Sequence, residues 1–61
     1  MSAARLREKA ALCLRLAKMA MSVDAAAGLR RLATEYEDAA RQAEARQAAR
    51  RQAAGQATAN Q

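Results

Sequence analysis

The stretch AALCLRLAKMAMSVDAAAGLRRLATEYEDAA, residues 10–40, decides the fold. Its two halves carry one pattern on either side of the short segment Ser22, Val23 and Asp24. Before that segment, Leu6, Ala10, Cys13, Ala17 and Ala20 follow one another at spacings of four and three, which places them on one stripe of an α-helix. After it, Leu29, Ala33, Tyr36, Ala40 and Ala43 repeat the same alternation. Two helices with matching stripes and so short a connection must lie antiparallel. The expected fold is therefore all-α, an antiparallel two-helix hairpin over residues 1–54. Helix 1 should span about 3–21, the turn about 22–24, and a longer helix 2 about 25–54. Ser2 and Asp24 are the expected N-caps, because their side-chain oxygens can accept from the free amides of a first helical turn.

Outward from the stripes, the apolar residues are few. The 61 residues contain seven Leu, Ile, Val or Phe in all, and the net charge is +5, values usually met in disordered chains. Much of the 52% hydrophobic content is alanine, which favours helix but contributes little transfer energy on burial. The hairpin seam is expected to hold Leu6, Cys13, Leu29, Leu32 and Tyr36. If the turn centres near residues 22 and 23, Cys13 faces Leu32 and Ala17 faces Gly28, so that Gly28 permits close helix approach. The same register sets Arg5, Arg7 and Lys9 beside Glu35, Glu37 and Asp38, where the acidic side chains offset a basic first turn that its own helix dipole disfavours.

A second apolar row, Leu12, Leu16 and Met19, runs beside the seam stripe, and Met21 adds a further large apolar side chain to be covered. A single hairpin partner cannot cover both rows. These four residues form the expected interaction face, and pairing two hairpins into a four-helix bundle is the simplest way to bury it. A homodimer is thus the expected partner state, with docking as a small accessory subunit on a larger complex as the alternative.

Beyond the hairpin, RQAEARQAARRQAA at residues 41–54 consists of strong helix formers with nothing larger than alanine to bury. In the expected register, residues 45–54 project past the end of helix 1. Gly55 suits the left-handed position that closes many helices, and residues 55–61 are expected to form a disordered tail.

Charge points in two directions. The pI of about 10.7 is that of many nucleic-acid-binding domains. Residues 45–61 carry Arg46, Arg50 and Arg51 without an acidic residue, which makes these three arginines the candidates for phosphate contact. Residues 25–44, however, hold four acidic against three basic side chains, and base-stacking aromatics are absent apart from Tyr36, a seam residue. The final-turn arginines are also explained by the helix dipole. A membrane-surface role is disfavoured because the basic helix end has no bulky apolar face.

Enzymatic chemistry is not expected: there is no histidine, and two helices offer no pocket to hold a nucleophile with its acid and base. With one cysteine, no metal site of the zinc type and no internal disulfide can be assembled within the chain. No cofactor is expected, and Cys13 is read as a small apolar seam residue. No apolar run approaches the roughly 20 residues of a membrane span. Arg5, Arg7 and Lys9 imitate the start of a secretion signal, but Arg15 and Lys18 interrupt the apolar segment that would follow. The expected location is cytoplasmic.

One resemblance accompanies these readings. Cys13, Leu16, Ala17, the turn residue Asp24, Leu29, Leu32, Ala33 and the triplet Glu35, Tyr36, Glu37 resemble the pattern of a group of short bacterial helical-hairpin proteins. It covers about residues 5–44 and departs at Ala25, where that pattern often has proline. The resemblance implies the hairpin fold and carries no activity.

Overall fold

The computed structural model describes residues 2–59, with side chains through Gly55. Among these residues there are two helices and no strand: α1, Ala3–Met19, and α2, Val23–Ala59. They pack side by side as an antiparallel hairpin, in a molecule of 60 × 14 × 12 Å.

The start of α1 follows from its cap. Ser2 has extended backbone, and its hydroxyl accepts from the Arg5 amide at 3.2 Å. The other end comes two residues earlier than expected. Ala20 leaves the helix in extended conformation (φ −66, ψ 137), with its N–H donating to the Ala17 carbonyl at 3.3 Å. The extended backbone at Ala20 ends α1 and leaves Ser22 to start α2.

Ser22, not Asp24, caps α2. Its hydroxyl accepts from the Ala25 amide at 3.0 Å, and its carbonyl accepts from Ala26. Asp24 sits instead in the first turn, where its negative charge suits the positive end of the helix dipole. Both residue types can cap, and the one that comes first in the chain begins the helix. The connection therefore comprises residues 20–22 rather than 22–24.

The far end of α2 also differs from expectation. The helix runs through Gly55 to Ala59, and no glycine among the described residues has positive φ. One exposed glycine costs a helix about 1 kcal/mol relative to alanine, too little to end it when no proline follows. The expected tail is thus helical over residues 55–59; residues 60 and 61 lie outside the described residues.

The core is a thin seam. Leu6, Ala10, Cys13 and Ala17 from α1 are buried against Ala33 and Ala40 of α2. Ala10, Cys13 and Ala33 form its centre, with Tyr36 packed against them. Leu29 and Ala43 are half-buried on the same stripe. Small side chains let the two backbones approach, but they remove little apolar surface from water. Four of the six buried residues are alanine, so the seam supplies only a small part of the transfer energy that a domain of this length needs.

Candidate interaction surface

Two expected seam positions lie elsewhere. Leu32 is 38% exposed, and Cys13 packs with Ala33 instead. A helix rotates by about 100° per residue, so Leu32 is turned to the edge of the seam when Ala33 points into it. Gly28 stands in the same relation to Leu29. A Cβ placed on Gly28 would meet nothing within 4 Å, so its role is not close approach between these two helices. Gly28 and Leu32 both lie outside the stripe of α2 that the seam uses.

The charges cross the seam in a different register. Arg7 donates through Nη2 to Oε1 of Glu44, not to Asp38, which instead accepts from Arg41 one turn along its own helix. Side chains lean towards the N-terminus of their helix, so in an antiparallel pair Arg7 and Glu44 reach towards each other from different levels. The hydrogen bond from Arg7 holds the Glu44 carboxyl below its usual range. Reciprocally, that bond and the Glu44 charge raise Arg7, and Glu37 adds a smaller favourable field. Both side chains are about half exposed, so the pair orients the helices more than it stabilises them.

Arg7, Ala11 and Leu14 of α1 face Glu37 and Arg41 of α2 across an open groove on one side of the hairpin. A second groove, at the open end, lies between Ser2 and Ala3 on α1 and Ala43, Arg46, Gln47 and Arg50 on α2. The first turn of α1 therefore reaches as far along α2 as Arg50, beyond the expected start of the overhang at residue 45. Arg46 and Arg50 share that groove. Arg51 does not line it, so the three arginines do not converge.

The most exposed large apolar side chains gather in the half of the hairpin nearest the turn. Leu12, Leu14, Leu16, Met19, Val23 and Leu32 are all exposed, and Met21 is fully so. All four residues of the expected interaction face are thus open to solvent. Leu32 joins them, and its place was hidden in the sequence because it stands one position away from the stripe residue Ala33. Cys13 is a free thiol closed within the seam.

Among the described residues no helix is long and apolar enough to cross a membrane. The chain matches no protein-family profile, and neither its sequence nor its fold has a significant match among curated proteins or solved structures.

Proposed function

We propose that this chain is a non-enzymatic helical interaction module that self-associates through Leu12, Leu16, Met19 and Met21 into a four-helix bundle. The observation that carries the reading is the exposure of those four side chains on a hairpin whose own core is mostly alanine. Isolated helix pairs are marginal in water, and this pair leaves more large apolar side chains outside its seam than inside it. A second hairpin supplies the missing cover. Neither groove brings a nucleophile together with an acid or base, and the one thiol is shut in the seam.

The test is the sedimentation behaviour of the wild-type chain and of Leu16→Glu. The wild type should sediment as a dimer, and the variant should be monomeric and largely unfolded because a charge cannot enter the shared core. A Leu16→Glu chain with unchanged mass and melting would overturn the reading.

A second reading, the binding of a phosphate-bearing polymer by Arg46, Arg50 and Arg51, is favoured by the groove that Arg46 and Arg50 share. Replacing all three arginines should then reduce the salt dependence of binding by roughly two to three charges. A slope that does not change removes this reading.

A further inference from the structure

We infer that Arg5 and Lys9 of α1 join Arg46 and Arg50 of α2 in a basic patch that holds the phosphate backbone of a nucleic-acid duplex. The inference rests on the second reading above; it adds the two cations of α1 and leaves out Arg51.

The patch lies on the side of the hairpin opposite the groove of Arg7, Ala11, Leu14, Glu37 and Arg41. Nine residues of α-helix turn by about two and a half turns, so positions nine apart lie on opposite sides. Nine residues from Leu14 and Arg7 stand Arg5 and Leu16; nine from Glu37 stand Gly28 and Arg46; nine from Arg41 stand Leu32 and Arg50. Leu12 and Lys9 are two residues from Leu14 and Arg7 respectively, a rotation of about 160°. This side is divided along its length. Leu12, Leu16, Gly28 and Leu32 lie towards the turn, and the four cations lie towards the open end.

There, like charges face each other. Arg7 and Glu44 cross the seam in a hydrogen bond on the groove side. Moving each of them two residues towards the open end carries both to the other side of their helices and lands on Arg5 and Arg46. The offset is the same, but both partners are now cations. Arg5 and Lys9 lean towards the open end while Arg46 and Arg50 lean back towards the turn, so the four converge. With Cys13 and Ala33 level, the stretch from Lys9 to Arg50 is about 20 Å long. All four are exposed, and none is in an ion pair among the described residues. Glu35 shares this side but lies nearer the turn and leans away. Beyond Glu44, which Arg7 engages, α2 has no acidic residue. An anion from outside the chain relieves that repulsion.

The surroundings select the anion. A guanidinium fork matches phosphate and carboxylate oxygens alike. An acidic protein segment, however, needs an apolar anchor at the centre of its interface, and a membrane surface needs an apolar face to take in. Among the described residues, no exposed apolar side chain larger than alanine lies in this half of the hairpin. A nucleic-acid backbone is bound by charge alone. The one aromatic residue, Tyr36, packs on the seam and cannot stack on a base, which favours a duplex over a single strand.

The test measures binding of the full chain to a short labelled DNA duplex, and to the RNA duplex of the same sequence, across a salt series. Four phosphate contacts should give log Kd against log salt a slope of about 3 to 4 on the duplex that is bound, and the tighter of the two identifies the source. Arg5→Gln with Lys9→Gln should lower the slope by about two. Arg15→Gln with Lys18→Gln, which removes the same charge near the turn, and Arg51→Gln should leave it unchanged. Circular dichroism checks helix content; if the double variant unfolds, Arg5→Gln and Lys9→Gln singly should each lower the slope by about one. A wild type that binds neither duplex at low salt would overturn the second reading, and this inference with it. A slope lowered by replacing Arg46, Arg50 and Arg51 but not by replacing Arg5 and Lys9 would overturn the two-helix patch and leave the second reading standing. An equal fall in the Arg15 and Lys18 variant would show net charge alone at work. Polyglutamate that competes as well as unlabelled duplex would show that phosphate is not selected. Either of these results overturns the proposal.

Discussion

Leu14 and Leu16 are a matched pair placed on opposite sides of α1, 39% and 40% exposed respectively. Full burial of a leucine side chain is worth about 2.5 kcal/mol, so covering the exposed part of Leu16 contributes about 1 kcal/mol. A two-fold interface buries it twice, and Leu16→Ala should therefore weaken the dimer by about 2 kcal/mol, about thirtyfold in Kd. Leu14→Ala removes the same chemistry from the groove beside Arg7 and Glu37, where no second copy settles, and should leave Kd within about twofold. Sedimentation equilibrium across a concentration series measures both, with circular dichroism of concentrated samples to check that each variant is equally helical as a dimer. Two outcomes would refute the reasoning. If Leu14→Ala weakens association and Leu16→Ala does not, the interface is on the groove side. If neither does, the leucines of α1 do not hold the dimer together.

Further outcomes follow from other parts of the hairpin. Cys13 should react with thiol reagents only as fast as the hairpin opens, and Cys13→Ala should cost about 1 to 2 kcal/mol of stability; rapid labelling of the folded chain would contradict the seam placement. Glu44, with its pKa lowered by the Arg7 hydrogen bond, contributes stability that is present above the ordinary carboxylate range and lost as pH falls through the lowered value. Wild type should accordingly melt above Glu44→Gln at neutral pH, and the gap should close on acidification; a gap that persists in acid would show that the pair is not its cause. Removing residues 46–61 should leave the hairpin folded and its dimer nearly intact, while amides of residues 51–59 in the full chain should exchange fast by hydrogen–deuterium measurement. A truncated chain that cannot fold would mean that this part of α2 is packed in a shared core.

The hairpin was legible because its signal is redundant. The stripe of Leu6, Ala10, Cys13 and Ala17 and its counterpart at Leu29, Ala33, Tyr36 and Ala40 each repeat a helical period over several turns, and an error at one position does not move the stripe. Positions beside the stripe had no such protection. A rule about level along the axis places Leu32 and Gly28 in the seam, but it ignores rotation, and one residue of rotation carries them out of it. The same rule sets Arg7 beside Glu37, which shares its groove, and Asp38, whereas the lean of long side chains brings its guanidinium to Glu44. At the termini, the competition between Ser22 and Asp24 for the cap depends on where the chain leaves α1, which it does at Ala20. Gly55 failed as a stop because helix propensity on both sides outweighs a single glycine. For the candidate surface, the exposure of Leu12, Leu16, Met19 and Met21 could be anticipated by counting apolar rows against available partners. The side they share with Leu32 and Gly28 emerges only when both helices are placed.

The mass of the wild-type chain in solution tests the central claim most directly. Sedimentation equilibrium at micromolar concentrations should return twice the 6.5 kDa of one chain, with helix content lost together with the dimer on dilution. A folded, helical species that stays at the mass of a single chain over the whole series would contradict it.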